Sequence, residues 1–492
     1  MSQLPDYVAS ATPNPAGKRA PWLTTTAATY AGIMLWFVFW SGLPSGGTAV
    51  AGGVLSQGLL FALMSLVIAA VICYTCFYHV PGMLGMKTGL PLYIVGTSTY
   101  GVTGGFLMPG FLMGCLQFGW LSVNGYFAGL GIACIAQGVG PDQVSWSLHM
   151  GIGIGWAVVA AFVGLKGIKY VGMVASYMPI IPIVALLYLL YCTVDGIRDF
   201  NPIGAVMANM VDTKEWGTLE TFEDLYKNAA SLYGNGFLGS LSGQLGVLSL
   251  ICAYVVGFFA TAGAAGCDFG SNNKDRNAVI MGGLVGIAGA TIFTGAIALI
   301  AIAGAQHSLN GSLNPYNSME LLMGNKTVGG AFTLLLAIAA FPSACFSSFI
   351  AANSFKTTLP KVNPFISCGI GTAVACLLIV TGFAGQAGDV FTLIGASFGP
   401  VCGAMMADYL LAGKKWAGPR AGFNLAGWIS WIVGFGVGGI MLFSTKFVKF
   451  NMPFEIPCPP VSAFVVGFVL YWLLAKVGLE SKKLDMPQRI DL

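Results

Sequence analysis

The chain has 492 residues, of which 56% are hydrophobic and only 8% are charged, with a net charge of +4. A soluble domain carries about 25% charged residues, so this composition excludes a soluble enzyme. The same hydrophobicity excludes a disordered chain. The polypeptide belongs in a bilayer, and no basic run points to nucleic acid.

A helix needs about 20 apolar residues to cross a membrane, so the length allows roughly a dozen spans. A membrane barrel would show alternating strands of about ten residues. The apolar runs here are long and unbroken, so the spans are helices. Residues 1–26 are polar and Pro-rich and read as a cytoplasmic tail, not as a cleavable signal peptide. Twelve spans follow, at 27–50, 54–78, 104–136, 145–165, 170–194, 246–269, 278–305, 329–357, 365–386, 390–412, 424–445 and 460–478. The stretch 87–101 is a Gly-bounded lead-in to span 3. Residues 479–492 form a cytoplasmic C-terminal tail.

Positive charge gives the orientation. With the N-terminus inside, Arg198, Lys214, Lys227, Lys326, Lys446 and Lys449 fall outside, and the other sixteen of the 22 Lys and Arg fall inside. This bias supports both termini in the cytoplasm of a multi-pass protein of the cell membrane. The loop 195–245 is then external. It is acidic, with Asp195, Asp199, Asp212, Glu215, Glu220, Glu223 and Asp224. It reads as a solvated loop with short helices, with a gate as the sharper alternative.

Of the twelve cysteines only Cys73 and Cys76 have C-x-x-C spacing, inside an apolar helix. They read as core packing rather than as a metal or redox pair. Gly151, Gly153 and Gly155 in span 4 read as packing glycines.

Two spans carry interruptions. Span 1 contains Ser41-Gly42-Leu43-Pro44-Ser45-Gly46-Gly47, and span 6 contains Gly257 and then Thr261-Ala262-Gly263-Ala264-Ala265-Gly266. Small residues and Pro weaken a helix, and broken backbone is tolerated in a membrane only where it lines a cavity. Interrupted helices at matching positions of two halves point to a secondary-transporter site. The interruptions lie five spans apart. An odd offset inverts topology, so residues 27–194 and 246–412 read as two inverted five-helix repeats, with 413–478 adding two helices.

Ionisable residues are nearly absent from the spans, which argues for a neutral solute. Asp268 and Asp408 sit at cytoplasmic helix ends and read as anchors rather than substrate ligands. The centre offers Gln117 and Trp120, three residues apart and so on one helical face. Gln donates and accepts hydrogen bonds, and Trp offers a flat π surface. Phe258 and Phe259 precede the break in span 6, and Ser41 and Gly42 stand at the break in span 1. Such a set suits a planar heterocycle with amide-like edges. No metalloprotease, hydrolase or carboxylate-pair motif lies at mid-membrane, so an enzyme is not expected. A channel and a non-transporting sensor are the rivals from other classes.

These residues sit in a recognisable pattern. Lys87-Thr88-Gly89-Leu90, Tyr100-Gly101-Val102 and Gln117-Phe118-Gly119-Trp120 resemble the nucleobase–cation symporter (purine–cytosine permease) family, in its cytosine-permease branch. Gly46-Gly47-Thr48, Val255 to Phe259 leading to Asp268-Phe269, Gly395 and Pro400 before Ala407-Asp408-Tyr409, and Asn424 with Trp428 agree with it. The resemblance runs through all twelve spans. It implies an all-α fold of the leucine-transporter type, a 5+5 inverted repeat plus two helices. It also implies import of a neutral nucleobase by alternating access, with cytosine as the default. Trp120 and Phe259 would sandwich the base, and Gln117 would bind its edge.

The sequence departs from the pattern at three places. Phe258 stands where cytosine permeases have a Ser. Span 8 reads Ala339-Ala340-Phe341-Pro342-Ser343, keeping one hydroxyl of the family's sodium-ligating set. Gly270 and Ser271 follow Asp268-Phe269 where an Arg is usual. The first departure favours a related substrate of the allantoin, hydantoin or pyrimidine-vitamin type. The second leaves sodium or protons open as coupling ion. A sodium site would use Ser343 with backbone carbonyls between Leu35 and Phe39, or Ser347 and Ser348 one turn further on. No other cofactor is implied.

Overall fold

The computed structural model describes residues 4–27, 53–140, 143–166, 178, 180–204, 241–305, 326–359, 361–450, 452 and 454–486. Ten of the described helices are long and apolar enough to cross a membrane. They are Leu59–Thr88, Phe106–Gln137, Trp146–Leu165, Ile180–Asp199, Gly243–Ala264, Arg276–Ala305, Thr327–Phe355, Ala387–Leu411, Leu425–Lys446 and Pro459–Lys476. Pro364–Val380 is a shorter apolar helix at the place of span 9. Together they occupy eleven of the twelve expected places. Span 1, with its interruption, lies outside the described residues, as do 205–240 of the acidic loop. The molecule is a multi-pass, all-helical membrane protein.

Span 2 is displaced from its expected bounds. Gly58 takes φ +93, a conformation other residues avoid, so the helix starts only at Leu59 and then continues to Thr88. Span 6 starts earlier than expected, at Leu241.

The spans pack in three groups. Spans 3, 4, 8 and 9 interlock, spans 2, 6 and 7 form a second set, and span 10 packs on spans 6, 11 and 12. Small residues set the closest approaches. A Cβ on Gly85 would overlap the carbonyl oxygen of Cys267, so spans 2 and 6 touch backbone to backbone. Between spans 3 and 4, a Cβ on Gly129 would lie 2.7 Å from Gly153 Cα. Gly151 and Gly155 have no such neighbour within 4 Å. Of the three glycines expected to pack, only Gly153 does, because the other two face away from span 3.

Span 3 is kinked near its start, where Met108 has non-helical dihedrals ahead of Pro109, and two further described spans are interrupted part-way along. Span 6 is helical over Gly257–Ala264, turns at Ala265, and resumes over Gly266–Gly270. The turn falls within the predicted stretch 261–266. Span 8 is helical over Lys326–Ala339, turns at Ala340, and resumes over Phe341–Thr358 with Pro342 in its first turn. Pro lacks an N–H and fits a first helical turn, so this break follows from the sequence at 341–342.

Candidate functional site

Spans 3, 6, 8 and 10 meet around Trp120. Its indole N–H donates to Thr261 Oγ1 at 3.1 Å. Its ring stacks on Phe391 of span 10, with centroids 4.7 Å apart and planes at 28°. Phe258 meets it edge-on at 4.0 Å. Beside this cluster lies a cavity of about 30 Å³. Span 3 lines it with Gln117, Trp120 and Asn124, and span 6 with Phe258, Thr261 and Ala262. Span 8 closes it with Ser343, Phe346, Ser347 and Ile350. Such a volume is about that of one water, whereas ligand sites span ~300–1,000 Å³. A heterocycle therefore enters only if the aromatic cluster or span 8 gives way.

Gln117 is 3% exposed, and its amide donates to Met113 Sδ at 3.5 Å. A thioether is a weak acceptor, so the amide keeps hydrogen-bonding capacity for a ligand. Gln117, Trp120 and Phe258 thus come together.

Phe259 does not join them. It is 1% exposed and absent from the cavity lining. It lies instead near Gly263, where an added Cβ would sit 3.1 Å from Phe259 Cε1 and 2.7 Å from Phe77 Cβ. Consecutive helical residues point about 100° apart, so only one of the pair can face the cavity. In this arrangement Phe258, not Phe259, meets Trp120, and the ring stacked on Trp120 is Phe391. The sequence reading missed Phe391, one turn before Gly395 of the span 10 pattern. Ser41, Gly42, Leu35 and Phe39 lie outside the described residues.

Span 8 reveals a second missed residue. Asn124 donates to Ala340 O at 2.9 Å and to Ser343 Oγ at 2.8 Å, and accepts from Trp156 Nε1 at 2.9 Å. It thereby satisfies the carbonyl freed at the break. Ser343 Oγ in turn donates to Ala340 O at 2.8 Å. Its hydroxyl is committed to the break. One turn on, Ser347 lines the cavity, and Ser348 is fully buried with no hydrogen-bond partner for its Oγ among the described residues. An orphaned buried hydroxyl is a poor structural element and a suitable ligand for a hard cation. Among the described residues, no group of three His, Cys, Asp or Glu could hold a metal ion.

A larger cavity, about 690 Å³, lies between the central site and the N-terminal segment. Ile350 lines both cavities, and Met113, the partner of Gln117, lines the larger one. Lys18, Thr24 and Thr25 of the N-terminal segment border its other end.

Asp268 and Asp408 hold the connection between spans 2 and 3. Asp268 Oδ1 accepts from Leu92 N at 3.1 Å. Asp408 Oδ2 accepts from Ser98 Oγ at 2.6 Å and Thr99 Oγ1 at 3.2 Å. Arg420 pairs with Asp408 at 3.1 Å and with Glu480 at 2.7 Å. Burial pulls the Arg420 pKa down, but Tyr471, Asp408 and Glu480 outweigh it and hold it above its ordinary value. The C-terminal residues Glu480 and Ser481 are thereby fastened to the body of the protein.

No family model matches the chain, and no curated protein matches it. Solved structures do. Mhp1, a nucleobase-cation-symport-1 family transporter in a closed conformation with bromovinylhydantoin bound, aligns with a TM-score of 0.60. The alignment covers 95% of this chain and 97% of that one, at 14% identity. The chain shares the Mhp1 fold.

The inward-facing conformation of Mhp1 aligns with a TM-score of 0.57 over 96% of this chain and 95% of that one, at 16% identity. A substrate-bound, outward-open Na+-coupled sialic acid symporter aligns at 0.54, covering 98% and 93%, at 13% identity. The relatives by structure are transporters, not enzymes. The Mhp1 fold is the leucine-transporter-type architecture that the sequence resemblance implies. It gathers Gln117, Trp120, Phe258 and Phe391 from three separate spans.

Proposed function

We propose that this chain is a cation-coupled secondary transporter that imports a neutral planar heterocycle by alternating access, with cytosine as the default substrate. The observation that carries this reading is the pairing of Gln117 and Trp120 over the central cavity, beside the interruptions at Ala265 and Ala340. An amide faces a ligand's edge while aromatic rings supply its flat walls. The Mhp1 structure with bromovinylhydantoin and the sialic acid symporter are consistent with this, as small-molecule carriers of the same fold.

Spans 2, 6 and 7 would move against spans 3, 4, 8 and 9. The Trp120–Thr261 hydrogen bond crosses that boundary. A substrate that displaces Phe258 from Trp120 would disturb the same contact, which would link occupancy to the relative position of the two sets.

A second substrate reading is an allantoin- or hydantoin-type compound. Phe258 lines the cavity where the cytosine-permease pattern has a Ser, so an apolar ring replaces a polar contact. For the coupling ion, Ser348, whose hydroxyl has no partner among the described residues, fits a sodium site better than Ser343, whose hydroxyl is already committed, and Ser347 stands beside it. Backbone carbonyls would complete it. The excess of Lys and Arg on one side supports both termini in the cytoplasm of the cell membrane.

The test is uptake of labelled cytosine by permease-deficient cells, with sodium present or replaced by a large inert cation. Saturable, sodium-dependent uptake supports the cytosine symporter. Saturable uptake indifferent to sodium points to protons. No cytosine uptake, with saturable uptake of hydantoin or allantoin, favours the second reading. Linear, non-saturating flux would sink a carrier mechanism.

A further inference from the structure

We infer that the 690 Å³ vestibule is a second, weaker binding site for the same class of heterocycle, with Asp268 accepting the ligand's N–H. This rests on the substrate class proposed above.

Size is the first argument. The vestibule falls in the range of small-molecule sites, ~300–1,000 Å³, whereas the central cavity is contracted to about 30 Å³. Continuity is the second. Ile350 lines both spaces, and Met113 lines the vestibule while bonding Gln117. A ligand leaving Gln117 would enter the vestibule once it passed Ile350 and Met113.

The third argument is chemical. Asp268 lines the vestibule with a carboxylate that receives one protein donor, Leu92 N. Among the described residues, no second donor reaches it. A carboxylate accepts several hydrogen bonds and donates none, so a ligand there must bring N–H groups. Lys18 borders the same space and supplies donors for a ligand carbonyl. The ring of Tyr93 offers a flat wall. Acceptor, donors and ring together match a lactam or amino-lactam heterocycle, which carries N–H and C=O on adjacent edges. Anchoring of Leu92 occupies Asp268 Oδ1, and Oδ2 has no hydrogen-bond partner among the described residues.

The site is tested by equilibrium binding to the purified full-length protein. The probes are labelled cytosine, uracil, hypoxanthine, hydantoin and allantoin, each titrated separately. The expected result is two equivalents of the bound probe per chain, one tighter than the other. Trp120→Ala should remove one equivalent and keep the other. Asp268→Asn should weaken the remaining one by about tenfold, the size of one lost hydrogen bond to a charged group, while the tighter equivalent persists and reports a folded chain. Asp268→Glu should restore part of the loss.

A single equivalent in the parent protein, abolished by Trp120→Ala, overturns the vestibule site and leaves the transport reading intact. That result needs no Asp268 variant and so does not depend on whether Asp268→Asn folds. Failure of every probe to bind overturns the transport reading itself.

Discussion

The indole N–H of Trp120 donates to Thr261 Oγ1 across 3.1 Å, and the same ring lies on Phe391 at 4.7 Å. One side chain thus ties span 3 to span 6 just ahead of its turn at Ala265, and to span 10. Trp120→Ala should abolish uptake while the protein still reaches the membrane and melts cooperatively. Trp120→Phe should keep the stacking and lose the hydrogen bond, giving partial uptake. Near-normal uptake by the alanine variant would remove Trp120 from the site.

Gln117 bonds only a thioether in the described structure. Gln117→Leu should weaken substrate binding by about 1–3 kcal/mol, the cost of leaving a polar ligand edge unpaired. Stability should change little, since the Met113 contact is weak. Isothermal titration of parent and variant measures the difference, and equal affinities would rule out a direct hydrogen bond.

Asn124 satisfies the carbonyl of Ala340, bonds Ser343 and accepts from Trp156. Asn124→Leu strands these groups in a buried setting. It should destabilise the protein by about 2–3 kcal/mol, seen as a lower melting temperature in detergent. An unchanged melting temperature would show that the span 8 break needs no side-chain support.

Ser343 and Ser348 separate the two versions of the ion site. Ser348→Ala should raise the sodium concentration needed for half-maximal uptake at least several-fold. Ser343→Ala should affect stability more than sodium dependence, because its hydroxyl serves the break. The reverse pattern would return the ion site to Ser343.

Arg420 is 3% exposed and joins Asp408, Glu480 and the carbonyl of Ser98. Arg420→Leu leaves Asp408 buried without its partner and should cost about 3–5 kcal/mol. Thermal unfolding of the detergent-solubilised protein would report it. A melting curve superimposable on the parent's would mean that the C-terminal residues are not held by this network.

The helical spans at the eleven described places, their approximate bounds and the weak point in span 6 were legible because they are local. Apolar length decides whether a helix crosses a bilayer, and a Gly-rich stretch such as 261–266 loosens its own helix wherever it stands. The break at Ala340 is also local in origin, since Pro342 fits the first turn of a new helix. Asn124 was not legible. Its partners at 340 and 343 lie more than 200 residues away, and a lone Asn in an apolar run resembles any polar residue.

The sequence by itself determined a multi-span helical membrane protein, and it selected Gln117 and Trp120 as neighbours on one face. Both follow from composition and from the helical repeat, which need no knowledge of other segments. Only the tertiary structure decided that Phe258 rather than Phe259 turns toward Trp120, that Phe391 supplies the stacked ring, and that Arg420 pairs with Asp408 and Glu480. Those choices depend on how each helix is rotated about its axis and on which distant span it meets. Packing between segments fixes that rotation, and the hydrophobic pattern of spans that are apolar on every side leaves it open.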